Sequence, residues 1–249
     1  MKSDEEDGMP WKKIAADTYE LSMGAVNIWL VEGPAGLTLI DTGYPARESA
    51  VLAALAQLGR RPAEIHHILL THGHPDHAGS LAALKAACGT PASAAPACGA
   101  EAWAHALDAQ VVTGRRELAV GRVSPGLFNT ILFNLVIRSS PAAYPRTAVE
   151  HEIAGDALLA AGGIRAIHTP GHTAGHLAYL TPGGALLIGD ACSNVVGLDY
   201  SIIYEDMDAG RRSLAKLARE KPEAVGFSHG KALRGSAVAK FQAKWAAAA

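Results

Sequence analysis

Five groups of side chains able to do chemistry each close an apolar run: His72 with His74, Asp76 with His77, His172, Asp190 and His229. His72 and His74 are two residues apart, so extended backbone points both imidazoles to one side. Pro75 turns the chain, and Asp76 and His77 open a helix on which neighbours splay apart. The block can therefore offer two ligands to one cation and two to another a few ångströms away. Imidazole with carboxylate suits zinc, iron or manganese. Two like charges so close need a bridging anion, and Asp190 in Ile188-Gly189-Asp190 is the natural choice. A lone histidine is ordinarily a hydrogen-bonded core or surface residue. A His-x-His-x-Asp-His block at a strand end, with matching residues downstream, does not fit that reading.

The elements that must hold these groups follow from composition and pattern. The chain has 249 residues, 49% hydrophobic and 18% charged, which is enough for a sizeable core and rules out general disorder. A net charge of -2 argues against a nucleic-acid partner bound through bulk electrostatics. Three cysteines with no CxxC pair, and an acidic, polar start, lead us to expect a reducing compartment, the cytoplasm. No apolar stretch is long enough to span a membrane.

Residues 24–31 and 37–40 form an expected β-hairpin with a four-residue Gly-Pro-Ala-Gly connection, ending in Asp41-Thr42-Gly43. A helix over 46–58 and a buried strand over 65–70 follow, then the histidine block, a helix over 78–87, a short strand at 91–95 and a helix over 99–107. The second half reads as strands at 164–169, 177–181 and 185–188, a helix over 208–221, a strand at 224–228 and a last helix over 235–245. Segment 111–144 breaks the rhythm. Its 127–137 run is apolar almost all round, as a core or dimer-interface helix would be, or a lid over an apolar pocket. We expect an α/β fold, an αββα sandwich with a helical insertion, as one domain over 11–249.

The motifs resemble those of the metallo-β-lactamase-fold hydrolases. Thr71–His77 matches the family's Thr-His-x-His-x-Asp-His block, and Pro170-Gly171-His172-Thr173-Ala174-Gly175-His176 matches its later block. Gly189-Asp190, Ser228-His229-Gly230 and Leu39-Ile40-Asp41-Thr42-Gly43 complete the set, over about residues 20–235 but not 111–144. The resemblance implies two divalent metal ions, zinc before iron or manganese. His72, His74 and His172 would hold the first, Asp76, His77 and His229 the second, with Asp190 between them. His176 reads as the start of a strand or as a support for a ligand rather than a ligand itself, and Asp41 either orients a ligand histidine or a loop through hydrogen bonds or caps the following helix. His66, His67, His105, His151 and His168 read as ordinary structural histidines.

The implied reaction is hydrolysis by a hydroxide shared between the two cations, with Asp76 as the catalytic residue that orients it and passes a proton to the leaving group. No protein nucleophile is needed, so Cys192 reads as a small buried residue. Among relatives of the fold, exported β-lactamases fit less well, given Asp190 and the start of the chain. Glyoxalase II enzymes and acyl-homoserine lactonases resemble the ligand set. The former carry a longer C-terminal region. The latter carry a tyrosine soon after the bridging aspartate, where Ser193 stands here, with Tyr200 or Tyr204 as spatial substitutes. The expected substrate is a small molecule with an apolar acyl or aryl part and a carboxylic-ester-type bond (lactone, ester or thioester), with β-lactams as a side reaction. An iron-dependent oxidoreductase and a true β-lactamase are the alternatives. A homodimer through 120–140 is a further expectation.

Overall fold

The computed structural model describes residues 10–34, 36–89, 99–119, 121–135 and 143–246. The first half contains β1 (Trp11–Lys13), β2 (Thr18–Ser22), β3 (Asn27–Gly33), β4 (Gly36–Ile40), α1 (Glu48–Gln57), β5 (Ile65–Leu69), α2 (Pro75–Ala78), α3 (Leu81–Ala87), β6 (Glu101–His105) and α4 (Ala106–Val112). Then come β7 (Arg122–Val123), α5 (Leu127–Leu135), β8 (His151–Ile153), β9 (Ala157–Leu158), β10 (Arg165–His168), β11 (Leu177–Leu180) and β12 (Ala185–Leu187). The chain finishes with β13 (Ile203–Tyr204), α6 (Met207–Leu217), β14 (Ala224–Gly226), β15 (Leu233–Arg234) and α7 (Val238–Trp245).

Two sheets face each other, in the orders β1-β2-β3-β4-β5-β6-β8 and β15-β14-β12-β11-β10-β9, and β7 with β13 makes a small third one. The strands alternate between cores. In β3, Ile28 and Leu30 face outward to Leu55, Leu84 and Val112 on the helices α1, α3 and α4. Their neighbours Trp29 and Val31 face inward to Tyr179 and Leu187 of the second sheet and to Ile164, just before β10. That sheet sends Ile167, Ala178 and Leu186 to its own outer face, against Leu214, Phe241 and Trp245 on α6 and α7. Strands buried on both faces must be apolar throughout, and helices cover each outer face, so the layers run α, β, β, α as expected.

Several local expectations need correction. Residues 99–107 are not a helix: Glu101–His105 is strand β6, and α4 begins only at Ala106. Alanines favour a helix locally, but parallel pairing of β6 with β5 and burial of Ala102 and Ala104 prevail. The helix expected over 78–87 is two pieces, α2 and α3. The first hairpin is tighter than expected, since Gly33 pairs directly with Gly36. The strand expected at 91–95 lies outside the described residues, as does Cys98; Cys88 and Cys192 are free and buried.

Both ends of the 111–144 segment belong to the core, because Val111, Val112 and Tyr144 are buried there. Helix α5 is not a core helix: Ile131 is 56% exposed. Residues 136 and 137 of its apolar run lie outside the described residues. Among the described residues, no helix is long and apolar enough to cross a membrane.

Candidate metal centre

The strand ends bring the singled-out side chains to one place. β5 delivers His72 and His74, and α2 carries Asp76 and His77. His172 sits between β10 and β11, Asp190 follows β12 and His229 follows β14. The rings of His72, His74 and His172 form a near-equilateral triangle, with centroids 4.6, 4.7 and 4.7 Å apart. His74 Nδ1 lies 2.9 Å from both His72 Nε2 and His172 Nε2.

The hydrogen bonds around the rings fix which nitrogen is bare. Thr71 Oγ1 spends its proton on Asp41 Oδ2 at 2.7 Å, so His72 Nδ1 must donate to Thr71 Oγ1 at 3.0 Å. His172 Nδ1 donates to the Ile203 carbonyl at 2.9 Å, and His229 Nδ1 to the Ala25 carbonyl at 2.6 Å. His77 Nδ1 donates to Asp41 Oδ2 at 2.9 Å. Each of these four rings therefore turns Nε2 toward the cluster, the arrangement that prepares a neutral imidazole to ligate.

Asp190 lies between two groups of candidate ligands. Its Oδ2 is 3.4 Å from His172 Nε2 and 3.3 Å from His229 Nε2, and its Oδ1 is 3.7 Å from His77 Nε2. Asp76 Oδ2 is 3.6 Å from His77 Nε2 and 3.5 Å from His229 Nε2. His77 Nε2 and Asp190 Oδ1 are buried with no hydrogen-bond partner among the described residues. Orphaned buried polar atoms are costly, and a shared cation would satisfy both. Three sets have mutually close ligand atoms: His72, His74 and His172; His72, His77 and Asp190; and Asp76, His77 and His229.

The two ends differ in charge. Burial holds His72 and His172 below the usual imidazole range and pushes His74 down to about 3. Burial also opposes a charge on His77, but the carboxylates of Asp76, Asp190 and Asp41 outweigh it and push its pKa up to about 10. His229 is raised against burial by Asp190 and Asp76. The same carboxylates that favour a proton there favour a divalent cation, so the two compete.

The supporting residues are equally specific. Asp41 adopts φ 60°, a strained value for a non-glycine residue, and its carboxylate also accepts the Thr71 N–H at 2.8 Å. The residue preceding α1 is Arg47, so Asp41 orients His77 rather than capping that helix. His176 Nε2 accepts the Asp190 N–H at 3.0 Å and its Nδ1 donates to Thr169 Oγ1 at 2.8 Å, so it holds Asp190 without joining the cluster. Tyr204 donates its hydroxyl to the Ala191 carbonyl at 2.5 Å, with its ring centroid 6.1 Å from that of His172. The other five histidines lie elsewhere: His105 stacks on His168, and His151 stacks on Trp103, with His67 at its edge. His66 lies against the Gly36 turn.

The sequence alone did not single out Tyr44, Asp108 or Tyr144. Half-buried Tyr44 follows the Asp41 turn, and its phenol is raised by burial and by the Asp76 and Asp190 charges. Its place directly after the Asp41-Thr42-Gly43 motif was the available signal. Asp108 and Tyr144 carry no motif at all.

Comparison with known proteins agrees with this geometry. The profile of the metallo-beta-lactamase superfamily matches residues 21–229, and the chain belongs to that superfamily, whose enzymes include metal-dependent hydrolases. It is 24% identical to the probable metallo-hydrolase YflN of Bacillus subtilis, over 87% of this chain and 84% of that one. It is 30% identical to a hydroxyacylglutathione hydrolase of Albidiferax ferrireducens, over 61% of this chain and 40% of the relative. A metallo-β-lactamase from Cronobacter sakazakii, a HARLDQ-motif mutant, shares the fold with a TM-score of 0.69 at 22% identity, covering 96% of this chain and 95% of the other.

Proposed function

We propose that this chain is a dinuclear metal-dependent hydrolase that cleaves a carboxylic-ester-type bond, a lactone, ester or thioester, in a small molecule. The observation that carries the reading is Asp190, with one oxygen within 3.4 Å of His172 Nε2 and 3.3 Å of His229 Nε2 and the other oxygen orphaned and buried. The donor set fits two cations: His72, His74 and His172 would hold one, Asp76, His77 and His229 the other, and Asp190 both. When bound, such ions, zinc first, lower the pKa of water toward neutrality and polarise a carbonyl.

The chain's own residues supply the rest. Asp76 is 21% exposed at its side chain, so it borders the solvent side of the cluster and can take the proton released during attack. Cys192 is 1% exposed and burial raises its thiol, which leaves it unfit as a nucleophile. Tyr204 sits beside His172, but its hydroxyl is engaged with Ala191, so it braces that ligand rather than meeting substrate.

Helix α5 presents Ile131 to solvent, which suits contact with an apolar acyl or aryl group. The name of the hydroxyacylglutathione hydrolase relative supports a thioester within this class. The near-neutral charge speaks against nucleic acid as substrate, and we keep a cytoplasmic location as our expectation.

The test is metal analysis of the purified protein followed by turnover of lactone, thioester, ester, β-lactam and phosphodiester panels. Two equivalents of metal and oxygen-independent cleavage of the first three, abolished by chelation, are expected. A requirement for oxygen, or phosphodiester cleavage alone, would overturn the reading.

A further inference from the structure

Asp108, on the first turn of α4, is 1% exposed and touches both loops that carry the three-histidine set. Its Oδ1 accepts the N–H of Gly73 at 3.0 Å, the residue between His72 and His74. Its Oδ2 accepts the hydroxyl of Thr173 at 2.9 Å, the residue after His172. One carboxylate thus ties segments about 100 residues apart, each through a neighbour of a ligand.

The fit leaves no slack. A Cβ on Gly175 would lie 2.3 Å from Asp108 Oδ2, and one on Gly73 would lie 3.3 Å from Oδ1. Gly73 is held from its other side as well, because Tyr144 donates its hydroxyl to the Gly73 carbonyl at 2.7 Å. Asp108 has no ion pair among the described residues, and burial lifts its carboxyl to about 6. A buried carboxylate with no cation in contact is costly unless hydrogen bonds compensate it, and here Gly73 and Thr173 supply them. The other ligand set is tethered independently, His77 through Asp41 and His229 through Ala25.

We propose that Asp108 is a positioning residue that sets the metal affinity of the His72–His74–His172 half of the centre by locking its two loops together. This rests on the dinuclear reading above. Loss of Asp108 frees the Gly73 and Thr173 loops while leaving Asp76, His77 and His229 in place. Asparagine at this position can still accept from Gly73, and its amide can donate to the Thr173 hydroxyl, so geometry rather than charge is the requirement.

The experiment titrates metal-free protein with Co(II), reading the d–d absorption and chelator competition. Wild type, Asp108→Ala, Asp108→Asn and Thr173→Val are compared, with thermal melts to report folding. Wild type should bind two equivalents; fewer would overturn the dinuclear reading itself. Asp108→Ala should weaken one of the two ions by about 10–100-fold and leave the other nearly unchanged. In a His229→Ala background, the same substitution should weaken the remaining ion. Asp108→Asn should hold close to wild type.

With two ions in wild type, unchanged binding in Asp108→Ala, or equal weakening of both ions, overturns the inference. So does Asp108→Asn behaving like Asp108→Ala. Should Asp108→Ala not fold, Thr173→Val removes only one of the two hydrogen bonds. It is expected to weaken the same single ion, and no effect on it would equally overturn the proposal.

Discussion

His77 and Asp41 are both fully buried, and their side chains meet at 2.9 Å between Nδ1 and Oδ2. The same carboxylate accepts from the Thr71 backbone and hydroxyl, so one strained residue orients the His77 ring and anchors the start of the histidine block. Replacing Asp41 with Ala strands three buried donors. A loss of about 3–5 kcal/mol in stability is expected, read by denaturant titration of the metal-free protein. Asp41→Asn should be milder in stability and still weaken metal binding at His77 by about tenfold or more.

Asp76 is the carboxylate of the Asp76–His77–His229 set, and it has access to solvent. Asp76→Ala in a metal-loaded preparation should cut ester and lactone turnover by about 100-fold or more, with the fold intact by circular dichroism. Unchanged turnover would show that the reaction does not pass through this residue.

Gly189 adopts φ 54°, and a Cβ there would lie 2.6 Å from His176 Nε2 and 2.9 Å from the Thr71 Cβ. Gly189→Ala must push His176 away from the Asp190 N–H. A drop of about 1–3 kcal/mol in stability should accompany loss of metal. His176→Ala should reproduce the metal effect, which separates the hydrogen bond from the backbone strain.

Glu20 accepts from Trp29 Nε1 at 3.3 Å, and burial pushes its carboxyl up to about 7. The fold therefore prefers the protonated form. Its contribution is fully present below the unfolded value of about 4.5 and is lost as pH rises through about 7. Glu20→Gln keeps an acceptor for Trp29 and removes the buried charge. It should raise the melting temperature at pH 8 by a few degrees, with little change at pH 5.

Ile131 on α5 is 56% exposed, within the segment expected to meet substrate or a second copy. Ile131→Ser should raise KM for long-chain esters several-fold and leave short-chain esters alone if α5 walls the substrate. A shift in oligomeric state by light scattering, with KM unchanged, would assign the helix to an interface instead.

The convergence of the histidines and aspartates was legible in the sequence because its densest part, His72 to His77, comes from one strand end, where local spacing dictates direction. The layered fold was legible because a strand such as β3 carries the apolar run Ile28-Trp29-Leu30-Val31, buried on both faces. Strand β6 was not, since Ala102 and Ala104 look helical until parallel pairing with β5 is known. Asp108 was unreadable for a deeper reason. Its partners are a backbone N–H and a hydroxyl, Gly73 and Thr173, and neither choice of residue announces a carboxylate on a helix far along the chain. Asp41 stood between, with orienting and capping both open until its contact with His77 decided the matter.

The small β7–β13 ribbon has a practical consequence. Val123 pairs with Ile203, whose carbonyl receives the His172 proton, and Tyr144 grips Gly73 from the far end of the same excursion. The excursion is thus stitched to the histidine cluster at entry and exit. Anyone grafting a foreign loop between Ser124 and Ala143 to change selectivity should keep both seams, because cutting either one would detune a histidine along with the specificity.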